Sequence, residues 1–252
     1  MKTSLLSLQQ IYFTIPSRER PILNNLCINV HSDDFIVLLG SNGSGKSSLL
    51  KIINGFLTPS SGQIYLQGKS ILTKPVYTRA KSIITLSQDL STSTFSNLSV
   101  LENCQIAMHR HKAPGLCLTK RKERDYIKSR LYDFQPSLCD KLEQTTSVLS
   151  GGERQALALA MSLWHTPSLL LLDEHTSALD PVMAEKIMEL THTITSQQKI
   201  ATIMTTHRLE DALLYGNRLI ALSQGNVLLD VSKEEKNALT HEKLLFLYSS
   251  NP

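Results

Sequence analysis

Short apolar runs separated by glycine and polar punctuation recur along the chain, and several lead into segments of helical length. They predict strands near 5–13, 26–30, 35–39, 62–67, 82–86, 168–173, 200–205, 217–222 and 225–230. Phe35-Ile36-Val37-Leu38-Leu39 and Leu169-Leu170-Leu171-Leu172 lack polar alternation, the pattern of strands covered by helices on both faces. Helices are expected over 46–55, 151–165, 181–195 and 209–215. Pro181 suits the first turn of its helix, where a missing amide would lack a partner in any case. An α/β fold follows.

The stretch from about 90 to 150 breaks this rhythm. It has few strand signals, carries Pro114 and Pro136, and reads as helical near 100–108 and 120–134, so it is taken as an inserted helical subdomain. Ser232-Lys233-Glu234-Glu235 matches a capping box, and a short helix is expected near 240–248.

Composition narrows the class. A chain of 252 residues suits one large α/β domain or a core with a small subdomain. With 41% hydrophobic and 19% charged residues, disordered, collagen-like and coiled-coil chains are excluded. Cys27, Cys104, Cys117 and Cys139 form no CxxC pair, which argues against zinc-ribbon and thioredoxin-type chemistry and for free thiols. The N-terminal residues show no sustained apolar region or cleavage site, so no signal peptide is expected. The longest strongly apolar runs reach only about a fifth of the roughly 20 residues that a membrane helix requires.

Three motifs carry chemistry. Gly40-Ser41-Asn42-Gly43-Ser44-Gly45-Lys46-Ser47 matches the phosphate-binding pattern GxxxxGK[ST], with Ser48 following, between an apolar strand and a helix. Glycines let the backbone wrap phosphate with its N–H groups inward, and the helix start adds partial positive charge. Lys46 is placed on the β/γ-phosphates and the Ser47 hydroxyl on magnesium. Leu169 to Leu172 lead into Asp173-Glu174, two carboxylates at a strand end beside that loop. Asp173 suits magnesium, and Glu174 would polarise the attacking water. Leu149-Ser150-Gly151-Gly152-Glu153 opens a long helix just before this strand, a second anion-binding helix start in which Gly152 lets the backbone approach a phosphate.

Together these motifs resemble the nucleotide-binding subunit of ATP-binding-cassette (ABC) transporters, over nearly the whole chain. The resemblance implies a P-loop NTPase core of the RecA-like type, with an antiparallel β subdomain and the helical insertion. It implies one nucleotide-binding domain over 1–252, its catalytic core at 1–89 and 150–252 and its helical subdomain at about 90–149. The signature LSGGQ reads LSGGE here, Glu153 taking the last place, and Ser150, Gly151, Gly152 and Glu153 would meet ATP bound to a partner. Gln88 matches the Q-loop glutamine, which contacts magnesium and water, and Ser177-Ala178-Leu179-Asp180 resembles the D-loop. His207 resembles the switch histidine at the γ-phosphate. Tyr12, with Phe13 competing, is placed on adenine.

Implied with them are ATP and Mg2+, hydrolysis supported by Glu174, His207 and Gln88, and a head-to-tail dimer with a second copy or a related ATPase. Transmembrane permease subunits, a separate solute-binding protein and peripheral attachment to the cytoplasmic side of the inner membrane complete the picture. Asp173-Glu174-His175-Thr176 departs from the proline usual at the third position; DEHTSALD resembles bacterial importer ATPases paired with permeases of the branched-chain amino acid or tryptophan type. An importer of amino acids or similar small solutes is therefore expected. The ATPase of a lipid or lipoprotein exporter and a soluble iron–sulfur assembly ATPase are the alternatives. His175 is treated as a lineage marker, and His109 and His111 as solvated.

The net charge of +4 is unevenly placed. Residues 109–130 carry +6, from Arg110, Lys112, Lys120, Arg121, Lys122, Arg124, Lys128 and Arg130 against Glu123 and Asp125, which leaves −2 elsewhere. A solvated helix face and a surface for anionic headgroups or acidic permease loops are the two readings. With Tyr126 the only aromatic residue of the stretch, no nucleic-acid partner is expected.

Overall fold

The computed structural model describes residues 4–16, 20–110 and 121–249. His111, Lys112, Pro114, Cys117 and Lys120 lie outside them. The chain runs β1 (Leu6–Phe13), β2 (Leu23–Val30), β3 (Phe35–Gly40), α1 (Lys46–Asn54), β4 (Ser61–Leu66), β5 (Lys69–Ser70), α2 (Val76–Arg79), β6 (Ile83–Ser87), α3 (Val100–His109) and α4 (Arg121–Tyr132). It continues with α5 (Gly151–Ser162), β7 (Leu169–Asp173), α6 (Pro181–Gln197), β8 (Ala201–Thr206), α7 (Leu209–Leu214), β9 (Arg218–Ser223), β10 (Asn226–Ser232), α8 (Lys233–Asn237) and α9 (His241–Ser249). Two compact units result: Met1–Thr85 with Pro167–Glu174 and Thr195–Pro252, and Leu86–Thr166 with His175–Ile194.

The first unit is built on a four-stranded sheet in the order β2-β1-β4-β5 and a six-stranded sheet in the order β10-β9-β3-β8-β7-β6. β3 pairs in parallel with β8 and β9, and β7 in parallel with β8; β10 returns antiparallel. All six residues of β3 and of β8 are buried, β3 as its unbroken apolar run requires and β8 with Thr202, Thr205 and Thr206 among its buried side chains. Leu38, Leu171, Ile203 and Ile220 from four strands join Leu49, Ile52 and Ile53 of α1 in one core cluster with the inner face of the four-stranded sheet. At about 1.5–3 kcal/mol for each large aliphatic side chain buried, this cluster is what holds α1 against the sheet.

β2 starts three residues earlier than its apolar run suggests. Asn24-Asn25 interrupts the pattern, and Asn25 takes φ +52° where the pairing with β1 shifts register, so Leu23 still points inward. β5 and α2, two and four residues long, are too short to show periodicity.

In the second unit α3 and α4 pack against α5, with Cys104, Ile127, Leu131 and Leu157 buried. Ser99 and Glu102 form a capping box at the start of α3. Tyr126 meets Trp164 edge-on at 6.0 Å, and Arg130 lies 5.9 Å over the same ring. The unit reaches to Thr166 and takes most of α6, beyond the 90–149 expected, because α5 supplies the apolar face on which α3 and α4 close.

Much of the basic charge of this segment is engaged internally. Arg110 and Arg130 donate to Met161 O and Leu163 O, and Arg124 pairs with Glu143. His109, expected in solvent, lies half-buried with Nε2 2.9 Å from Glu123 Oε1. Arg121, Lys122 and Lys128 remain exposed. Cys27, Cys104 and Cys139 are free thiols, and burial pushes Cys104 up to about 12.

Candidate functional site

The parallel register sets the site. Asp173 stands beside Thr205 and Leu39 beside Thr206, so β3, β7 and β8 end together at their carboxyl ends, where ligands bind in open α/β sheets. From these ends project the loop 41–45, the pair Asp173-Glu174, and His207.

Loop geometry depends on Gly45. Its φ is +105°, and a Cβ there would lie 2.6 Å from Leu23 Cδ2 and 2.8 Å from Ile22 O, so neither the conformation nor the space admits a side chain. Around Gly43, by contrast, a Cβ would meet nothing within 4 Å. α1 begins with no side-chain cap and no acidic residue in its first turn, which leaves its positive pole for an anion. Ser44 Oγ is buried and without a hydrogen-bond partner. An open, uncapped helix start with an unpartnered buried hydroxyl fits a phosphate chain.

Lys46, 5% exposed, donates to Gly40 O at 2.7 Å and Ser41 O at 3.1 Å, and stands 3.6 Å from Glu174 Oε1. Burial lowers its pKa, and Glu174 and then Asp173 oppose the shift. Glu174 takes φ +46°, an uncommon conformation for a residue with a side chain. Its Oε2 is 3.1 Å from His207 Nδ1, so one carboxylate joins a lysine at the start of α1 and a histidine just after β8.

Ser47 Oγ donates to Asp173 Oδ1 at 3.0 Å. These are hard oxygen ligands of the kind that magnesium takes, with water and phosphate filling the rest of its octahedron. Among the described residues there is no cluster of three or more metal-binding side chains, so a metal here would draw most of its ligands from a nucleotide and water.

Thr205 was not anticipated by sequence reasoning. Its buried hydroxyl donates to Asp173 Oδ1 at 2.8 Å and accepts from Glu174 N at 3.0 Å, tying both carboxylate residues to β8. Two consecutive threonines at the end of the strand, Thr205-Thr206, directly after Ile203-Met204, were the available signal. Of the two aromatics at the end of β1, Phe13 belongs to the core cluster while Tyr12 is half-buried.

The other expected residues lie in the second unit. Gln88 is exposed just after β6, and Ser177 to Asp180 form the turn into α6, where Asp180 Oδ1 accepts from Met183 N at 3.1 Å. Ser150 caps α5: its Oγ accepts from Glu153 N at 3.2 Å, and Glu153 Oε2 accepts from Ser150 N at 3.0 Å. Glu153 Oε1 also accepts from Lys141 at 2.6 Å and Ser137 at 2.7 Å. Burial alone would raise this carboxyl, but the hydrogen bonds from Lys141, Ser137 and Ser150 outweigh it and bring it down to about 2. Glu153 thus faces inward and braces the helix start. Gly152 has a structural demand of its own, since a Cβ would stand 2.4 Å from Met183 Cγ.

His175 is 3% exposed. Thr191 gives its own proton to Ile187 O, so it accepts from His175 Nε2 at 3.3 Å. Burial brings the imidazole down to about 4 and keeps it neutral.

Comparison with known proteins agrees with this geometry. Residues 23–177 match the family model described as ABC transporter. A tyrosine transport ATP-binding protein of Clostridioides difficile is 41% identical over 224 residues, 89% of each chain. A thiamine import ATP-binding protein of Photobacterium profundum is 37% identical over 194 residues, 77% of this chain and 76% of its own. Among solved structures, cbiO1 from Clostridium perfringens, part of an ABC transporter complex, superposes with a TM-score of 0.78 at 26% identity, covering 96% of this chain and 93% of that one. The chain belongs to the ABC transporter family and is one of its ATP-binding, ATP-hydrolysing subunits.

Proposed function

We propose that this chain powers an importer of amino acids or similar small solutes, docked on transmembrane permease subunits at the cytoplasmic face of the inner membrane and served by a solute-binding protein. The observation that carries the ATPase chemistry is the convergence of Lys46, Glu174 and His207 beside the Ser47–Asp173 pair at the carboxyl ends of β7 and β8 and the start of α1. Import and the amino-acid class are supported by the relatives named for tyrosine transport and thiamine import and by the DEHTSALD motif. None of the helices among the described residues is long and apolar enough to cross a membrane, in keeping with a peripheral subunit.

In this reading ATP stacks on Tyr12 and lays its phosphates along Gly40 to Ser48. Lys46 exchanges two neutral carbonyl partners for anionic β/γ-phosphate oxygens, a stronger charge-assisted contact. Magnesium would be held by Ser47 and Asp173 and would supply charge neutralisation at the phosphate oxygens, and the match of Gln88 to the Q-loop glutamine assigns that residue to the same ion. Glu174 accepts a hydrogen bond from the attacking water and so aligns and polarises it. His207 keeps Glu174 in place and reaches the γ-phosphate.

Neither phosphate-facing helix start encloses a nucleotide by itself. Two copies in head-to-tail arrangement would each present Ser150, Gly151 and Gly152 to the ATP on the other, with the D-loop Ser177 to Asp180 at the seam. Ser150 Oγ accepts from Glu153 N, which leaves its own proton available for a phosphate oxygen. Glu153 acts there by holding the helix start. ATP closes the pair, hydrolysis and phosphate release open it, and the permease follows.

The test is uptake in cells expressing the chain with the permease and binding protein encoded beside it. Labelled tyrosine, tryptophan, leucine and thiamine are supplied, with the wild type and Glu174→Gln. Amino-acid accumulation that Glu174→Gln abolishes supports the proposal. Efflux, or ATPase activity independent of any membrane partner, would overturn it, and accumulation of thiamine alone would overturn the amino-acid class.

A further inference from the structure

Arg79 ends α2 and is 5% exposed. Its Nη1 donates to Ile52 O and Ile53 O, its Nε to Lys74 O and its Nη2 to Leu72 O, each at 2.9 Å. All four of these acceptors are backbone carbonyls. Ile52 and Ile53 belong to the last turn of α1, whose final carbonyls form its negative pole; Ile52 O also accepts from Gly55 N at 3.3 Å. Gly55, which ends α1 at φ +93°, leaves room for this packing: a Cβ there would stand 2.9 Å from Arg79 Nε. Burial lowers the pKa of Arg79, yet a guanidinium stays protonated throughout the range in which proteins fold.

A buried cation held only by carbonyls is costly unless it meets a negative pole. Here it meets the far end of the helix whose near end presents the uncapped phosphate site. Over nine residues at 1.5 Å each, the two ends are about 13 Å apart. The same arrangement recurs on α5, the other helix start assigned to phosphate: Arg110 Nη2 donates to Met161 O at 3.3 Å and Arg130 Nη2 to Leu163 O at 3.1 Å, where that helix ends.

We propose that Arg79 is a positioning residue for nucleotide. It ties the C-terminal carbonyls of α1 to the Leu72–Lys74 turn, which fixes the axis of the helix and the place of Lys46 and the first-turn N–H groups. It also neutralises the negative pole, which leaves the positive pole unopposed where phosphate binds. This deepens, and rests on, the reading of the α1 start as the ATP site.

The experiment is MgATP titration and steady-state hydrolysis by the full chain for wild type, Arg79→Lys and Arg79→Met, at a temperature well below each variant's Tm. The Kd for MgATP should rise about tenfold in Arg79→Met and about threefold in Arg79→Lys, since one ammonium carries the charge but not the four-point fork, with kcat within about twofold. Amide exchange over residues 43–49 should accelerate in the same order. If Arg79→Met does not fold, Arg79→Lys decides. Variants with a lower Tm but wild-type Kd and exchange would reduce Arg79 to an ordinary packing residue and overturn the proposal. A wild-type chain that fails to bind MgATP would instead refute the assignment of the site.

Discussion

Glu153→Gln separates two jobs that one residue of the signature could do. If Glu153 braces the start of α5, its carboxylate is worth the preference of the folded chain for the ionised form. A fall from the ordinary 4.5 to about 2 corresponds to about 3 kcal/mol at 1.36 kcal/mol per decade. Lys141 is 31% exposed, so solvent screens the pair, and about 1–2 kcal/mol is the reasonable share. Glutamine keeps the reciprocal cap with Ser150 but loses the charge facing Lys141 and Ser137. The Tm should therefore drop by roughly 3–6 °C at pH 7. A depressed carboxylate stabilises the fold above its unfolded pKa and loses that effect as pH falls through the folded one. The gap between wild type and variant should thus be full at pH 7, narrow below about 4.5 and vanish near 2. Thermal melts at pH 7 and pH 3, with ATP hydrolysis measured alongside, provide the check. ATPase activity within about threefold of wild type is expected, a loss under 1 kcal/mol. A variant as stable as wild type but unable to turn over ATP would refute this account and return Glu153 to nucleotide contact.

His175→Gln should flatten a different part of the pH profile. The native chain keeps His175 neutral down to about 4 while the unfolded chain protonates near 6.5, so wild-type stability should fall by up to about 1.4 kcal/mol per pH unit between those values. Urea melts from pH 7 to 4 measure it, and parallel profiles for the two proteins would contradict the buried imidazole. Thr205→Val removes the hydroxyl joining Asp173 to Glu174 N, so kcat should drop about tenfold or more with a stability loss of about 1–2 kcal/mol; unchanged turnover would rule Thr205 out of the site. Gly45→Ala forces a side chain into φ +105° against Ile22 O and Leu23, and should cost about 2–3 kcal/mol together with MgATP binding, read by melting and titration.

What was legible in the sequence followed from physical demands that a linear pattern records. A strand buried on both faces must be continuously apolar, so β3 and β7 announced themselves, and the phosphate loop and Asp173-Glu174 sit where those runs stop. β5 and α2 left no trace because two and four residues carry no period, and with α2 went Arg79, whose four partners are set by a turn no motif describes. Thr205 was hidden for another reason: its role comes from the parallel register of β7 and β8, which pairs it with Asp173, a residue 32 positions away. The nearest charged neighbours of His109 in the sequence are basic, and its partner Glu123 lies 14 residues on, in α4, where no local pattern marks the pair. Glu153 read as a ligand contact because its consensus place is in the signature. Its partners Lys141 and Ser137 lie more than three helical turns back along the chain and outside α5, where no short motif would look.

The central claim is that Glu174, held between Lys46 and His207, activates water for ATP hydrolysis. Single-turnover phosphate release by Glu174→Gln, with MgATP binding measured on the same sample, tests it most directly. Binding equal to wild type with release slowed roughly 100-fold or more is predicted; release at a near-wild-type rate would contradict it.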